Sequence, residues 1–182
     1  MGMTKSVFGK TSNGEVVHLV TVSNEKGMSM EVLDYGATLV SVNVPDKDGH
    51  TEDVALGYDD VLDYEKGTAY LGASIGRCGN RVDHAEFSIN GKEYFMEKNE
   101  GENVCHSGPR CYSRRMWDME LLEEENSVRF HLVSPNMDQG FPGTFEVTVT
   151  YTLTEENELK IHYNGTCDQD SLINMTNHSY FN

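Results

Sequence analysis

Phe145-Glu146-Val147-Thr148-Val149-Thr150-Tyr151-Thr152-Leu153 alternates apolar and polar residues over its whole length. Successive side chains of an extended chain point to opposite faces. One face of this stretch is therefore apolar and the other Thr-rich, which describes a half-buried β-strand. A polar turn at Glu155-Glu156-Asn157-Glu158 leads into Leu159, Ile161 and Tyr163, which alternate again, so the two runs form a hairpin. Upstream, Val128, Phe130 and Leu132 mark another strand. Residues 85–89 and 92–96 flank Asn90-Gly91, the dipeptide that best tolerates the two positive φ angles of a type I′ turn. Residues 16–22, 28–33 and 39–44 are early strands, the last closed by Pro45-Asp46-Lys47-Asp48-Gly49.

Helical signal is thin. Residues 60–64 suit one short turn, and no segment sustains an i, i+3, i+4, i+7 apolar pattern over three turns. The expectation is an all-β, mostly antiparallel sandwich, with residues 1–182 forming one continuous domain.

The formal net charge of −16 argues against a nucleic-acid partner, which requires a basic face, and disfavours strongly anionic substrates. No stretch approaches a membrane span and the N-terminus has no apolar signal core, so no membrane partner and a cytoplasmic location are expected. Cys78, Cys105, Cys111 and Cys167 are irregularly spaced without a C-x-x-C pair and are read as free thiols. Glycosylation sequons at Asn164, Asn174 and Asn177 are read as coincidental.

Four segments rich in Gly, Asn, His and Arg break the strand pattern: residues 76–81, 103–109, 134–143 and 174–182. Loops on a rigid β scaffold are where sites are built. Gly76-Arg77-Cys78-Gly79-Asn80-Arg81 reads either as a hydrogen-bonding platform for a polyol, with two guanidinium forks beside an amide, or as a turn with surface arginines. His106 lies in Cys105-His106-Ser107-Gly108-Pro109. A zinc set from Cys105, His106 and Cys111 has a spacing that matches no familiar one, so no metal is expected. His178, between Asn177 and Ser179-Tyr180, is either a satisfied core group or a positioned acid/base. His131 and His162 fall on polar strand faces, and His18, His50 and His84 form no cluster along the sequence.

Six pieces taken together resemble the aldose 1-epimerase (galactose mutarotase) family. They are Asp34-Tyr35-Gly36-Ala37-Thr38, Leu56-Gly57-Tyr58, Gly76-Arg77-Cys78-Gly79-Asn80-Arg81, Ser134-Pro135, Gln139-Gly140-Phe141-Pro142-Gly143 and Thr176-Asn177-His178-Ser179-Tyr180-Phe181-Asn182. The resemblance implies the N-terminal half of a large, twisted β-sandwich, the galactose mutarotase-like supersandwich, that interconverts the α and β anomers of free aldohexoses without a cofactor. It further implies that His178 is the general acid, that His106 supports it, and that Asn80, Arg81, His106, His178 and Tyr180 contact the sugar. The general base, a glutamate, is expected from the family's other half. On that reading this chain by itself has little activity, and its open sheet edges favour self-association.

Two departures stand out. Family members commonly carry Gly-Gly after the site histidine and Gly-Phe soon after; Ser107-Gly108-Pro109 and Cys111-Tyr112 occupy those places, and altered contacts at the rim of the site are expected. Gly79 stands where alanine is usual. Two other functions compete with the first: a hexose-6-phosphate 1-epimerase, which needs an added cationic clamp, and a carbohydrate-binding protein without turnover. The low basic content and the Thr176–Tyr180 motif favour the free-sugar enzyme.

Overall fold

The computed structural model describes residues 2–182. Strands β1 (Gly2–Lys10), β2 (Val16–Ser23), β3 (Ser29–Leu33), β4 (Thr38–Pro45) and β5 (Thr51–Asp53) pair in chain order into one antiparallel sheet. A short helix, α1 (Val61–Lys66), follows; the Asp60 carboxylate caps it by accepting from the Leu62 N–H at 2.8 Å. Five short strands come next: β6 (Ser74–Ile75), β7 (Arg81–Val82), β8 (Glu86–Ile89), β9 (Lys92–Phe95) and β10 (Val104–Cys105). The second sheet holds β11 (Asp118–Leu122), β12 (Ser127–Ser134), β13 (Phe145–Leu153) and β14 (Leu159–Cys167), again antiparallel in chain order. Finally β15 (Thr176–Asn177) returns to pair with β6.

The alternation read from residues 145–153 is realised along β13: Phe145, Val147, Val149, Tyr151 and Leu153 are buried while the residues between them are half-buried or exposed. Val20, Val22, Met30, Val32, Leu39 and Val42 of the first sheet meet Val128, Phe130, Val147, Val149 and Tyr151 of the second in one apolar cluster. Removing that area from water is the main favourable term holding the sheets together. The 90–91 turn also takes the expected form, with φ of 53° at Asn90 and 76° at Gly91.

β1 is a strand that the sequence pattern did not mark. It is the outer strand of its sheet, and most of its side chains are exposed, so it carries no period-two burial signal. β14 closes the other sheet; its apolar residues Leu159, Ile161 and Tyr163 are only half-buried.

Candidate functional site

The short strands carry the site because their pairing fixes which loops meet. β10 pairs with β7 so that Cys105 faces Arg81, and the next residue, His106, donates its backbone N–H to the Asn80 carbonyl at 2.9 Å. The Asn80 N–H in turn donates to His106 Nδ1 at 3.0 Å. Nδ1 is thereby an acceptor, so the ring proton of the neutral imidazole lies on Nε2. On the opposite side, β15 pairs with β6, and His178 is pinned at both ends of its peptide: its N–H donates to the Ala73 carbonyl at 2.9 Å, and its carbonyl accepts from the Gly72 N–H at 3.2 Å.

Asn177 anchors this segment from below. Its amide donates to the Gly72 carbonyl at 2.8 Å and to the hydroxyl of fully buried Tyr151 at 3.1 Å, and that hydroxyl donates to the Ala37 carbonyl at 2.7 Å. A core residue of β13 thus holds the strand that presents His178. Burial, and after it the neighbouring Tyr163, push the Tyr151 phenol far above its ordinary pKa, so it stays a neutral hydrogen-bonding group.

These constraints bring Asn80, Arg81, His106, His178 and Tyr180 to the wall of one open cleft of ≈ 840 Å³. The His106 and His178 rings meet edge to face, 5.0 Å between centroids at 88°. Tyr180 packs against His178 at 5.4 Å. Two residues that the sequence reading did not single out join them. Tyr70 packs against both histidines, its ring centroid 4.8 Å from that of His106 and 5.7 Å from that of His178. Glu100 grips the Arg81 guanidinium with both oxygens, Oε1 accepting from Nη2 at 2.7 Å and Oε2 from Nε, while Arg81 Nη1 donates to Asn80 Oδ1 at 3.1 Å.

The electrostatics follow from these contacts. Desolvation, then the neighbouring His178 and Arg81, hold the His106 imidazole below its ordinary pKa, and Glu100 offsets part of that. The ion pair holds the Glu100 carboxyl below the usual range.

Two expectations need correction. Arg77 is no part of a polyol platform, nor a surface arginine: it is fully buried. Its guanidinium donates to the carbonyls of Pro142 (2.7 Å), Gly143 (3.0 Å) and Ser134 (3.2 Å) and to Ser134 Oγ (2.8 Å), between the rings of Phe141 and Phe145. Segment 134–143, one of the four loops read as site candidates, is therefore framework and lines no wall of the cleft. Of the residues at the two departures, Ser107, Gly108, Cys111 and Tyr112 are buried and Pro109 is exposed. Ser107 sits at φ 69°, a backbone state that favours glycine, and its hydroxyl accepts from the Cys78 N–H at 2.7 Å and donates to the Cys78 carbonyl at 2.9 Å. That pair of bonds holds a serine in this left-handed backbone state.

Outside the cleft, His18 contacts the buried Asp34 at 2.7 Å. The four cysteines are free thiols. Among the described residues no three His, Cys, Asp or Glu side chains converge as a metal set; Cys111 bonds instead to Ser113 Oγ at 2.8 Å.

Residues 18–182 match the family model described as aldose 1-epimerase. An aldose 1-epimerase from Haemophilus influenzae is 44% identical over 170 residues, covering 93% of this chain and 49% of that protein. A galactose mutarotase from Sus scrofa is 34% identical over 183 residues, covering 100% and 52% respectively. The solved structure of a galactose 1-epimerase from Lactobacillus acidophilus superposes with a TM-score of 0.88 at 28% identity, covering 100% of this chain and 53% of that one. The chain spans about half the length of the curated relatives it matches.

Proposed function

The chain belongs to the aldose 1-epimerase family, and from that premise we propose that its cleft holds a free aldohexose, glucose or galactose, while the α and β anomers interconvert. The observation that carries the proposal is the meeting of His106 and His178 beside Asn80 and Arg81 on one open wall. Anomer exchange requires the ring to open at C1, rotate about C1–C2 and reclose. A base takes the C1 hydroxyl proton while an acid protonates the ring oxygen, and reclosure reverses both transfers. The proton balance closes without a metal or organic cofactor.

In this reading His178 is the acid. His106, neutral with its proton on Nε2, supports it by donating to the sugar. Asn80 and Arg81 hold hydroxyls, and Tyr180 backs the His178 ring. Glu100 makes a poor base because Arg81 holds it ionised and bonded. The base is expected to be a glutamate from the part of the family fold outside the half spanned here.

Three further readings belong to the proposal. The core shared by the two sheets supports taking the described residues 2–182 as one domain. Free thiols fit a reducing, cytoplasmic setting. The open edge of β14 supports self-association, which sedimentation at rising concentration tests.

The test of the site is His178→Asn in the intact protein. Losing a general acid should lower kcat about 10²–10⁴-fold while KM changes little. A near-normal kcat rules out the role.

A further inference from the structure

We propose that Glu100 is a specificity-determining residue: by pairing with Arg81 inside the cleft, it cancels the cation there and makes the site selective for neutral sugars over sugar phosphates and inorganic phosphate. The inference rests on the sugar-binding reading above and names the residue that sets its substrate class.

Three observations carry it. First, among the described residues lining the cleft, Arg81 supplies the permanent positive charge and Glu100 the negative one. An arginine half-exposed in an open cleft is otherwise the preferred group for capturing phosphate, because its planar fork matches two phosphate oxygens. Second, Glu100 occupies the Nε–Nη2 edge of Arg81, an edge suited to gripping an oxyanion with two parallel bonds. Third, Nη1 also donates to Asn80 Oδ1, so three of the five N–H donors of the guanidinium are engaged. A ligand meets the two left over, one on Nη1 and one on Nη2, with the Glu100 charge beside them, a setting that suits neutral hydroxyl oxygens better than a dianion. The neighbouring His106 imidazole is disfavoured as a second positive charge, because desolvation, then His178 and Arg81, hold it below its ordinary pKa.

The experiment titrates inorganic phosphate into the intact protein and follows the His106 and His178 ring resonances, with phosphate inhibition of hexose anomerisation measured in parallel. Glu100→Gln keeps the side-chain shape and removes the charge. It should tighten phosphate binding about five-fold or more, the scale of one unit charge about 4 Å away in water, and the gain should shrink as salt is added. Glu100→Asp keeps the charge and should return phosphate binding towards the wild-type level. Glu100→Gln binding phosphate no better than wild type overturns the proposal, as does an equal gain in Glu100→Asp. Failure of the parent reading looks different: wild-type protein then neither binds nor turns over hexose, while the phosphate titration still reads the role of Glu100.

Discussion

His106 reaches the cleft with its proton placed: Nδ1 accepts from the Asn80 N–H, and burial disfavours the imidazolium. A folded pKa below the ordinary histidine value means that the folded chain binds fewer protons than the unfolded one in the window between the two. The stabilising contribution is complete above the ordinary value and is lost as pH falls towards the folded one. The ring titration followed by NMR should therefore have its midpoint below 6.5, and Glu100→Gln should move it lower still, because Glu100 is the neighbour that favours the charged ring. A midpoint at or above 6.5 contradicts this account of the ring. Tyr151→Phe tests the support beneath His178. It removes one of the two donors to the Ala37 carbonyl, the other being Ser74 Oγ at 3.2 Å, and one acceptor of the Asn177 amide, so stability should fall by about 0.5–1.5 kcal/mol by denaturant unfolding, with kcat reduced more than KM is raised. At this scale the residues that the family resemblance named, Asn80, Arg81, His106, His178 and Tyr180, stand inside dense polar motifs, and the fold brings them to one cleft. The sequence did not disclose Tyr70 or Glu100, single residues in unremarkable surroundings that become visible only when β7 and β10 pair and the 70–73 backbone meets His178. Arg77 was misread because two arginines four residues apart look alike in a motif, whereas one faces the cleft and the other is buried beneath the loop.

Among the elements, the turns divide into those that shape the site and those that do not. Gly91 has φ 76° with nothing within 4 Å of an added Cβ, and its hairpin, β8–β9, lines no part of the cleft. Gly91→Ala should cost about 1 kcal/mol of stability from backbone strain, with kcat and KM unchanged. Gly72 differs in kind. At φ 64°, an added Cβ would lie 1.8 Å from the Leu39 carbonyl oxygen, and the Gly72 N–H holds the His178 carbonyl. Gly72→Ala must displace backbone, so it should exceed the Gly91→Ala loss in stability and also lower kcat; equal effects of the two substitutions would show that the 72–178 contact positions nothing. Strands that bury one face, β13 most clearly, were legible from period two. β6, β7, β10 and β15, two residues each, are too short to show any period, although they position the site. Their existence follows from which loops the larger sheets bring together, a long-range property that no local pattern encodes.

Over the whole molecule, one polar chain ties the second sheet to the site-bearing loops. Arg77 donates to Ser134 Oγ, which donates to Asp138 Oδ2 at 2.6 Å, and Arg115 clasps the same carboxylate at 2.6 and 3.0 Å. Burial alone would raise the Asp138 pKa, but the Arg115 fork, the Ser134 hydroxyl and the two cations outweigh it and hold the carboxyl below the ordinary range. A depressed carboxylate contributes stability that is complete above its unfolded pKa and is lost as pH falls through the folded one. Asp138→Asn should thus cost about 1.5–3 kcal/mol at neutral pH and flatten the acid side of the stability profile, as read by thermal unfolding across pH. The all-β class and the sandwich were legible because strand periodicity repeats along the chain. The family was legible because six short motifs occur in one order, and the framework role of residues 134–143 was not, because a polar loop that builds a core contact looks in sequence like one that builds a site. The central claim, that this cleft turns over free hexose through His178, is tested most directly by exchange between the α and β anomeric proton signals of equilibrated hexose, measured by magnetisation transfer with the intact protein. The account predicts exchange that rises in proportion to protein concentration and falls about 10²–10⁴-fold in His178→Asn. Sugar that binds while its anomers exchange no faster than in buffer would contradict it and identify a carbohydrate-binding protein instead.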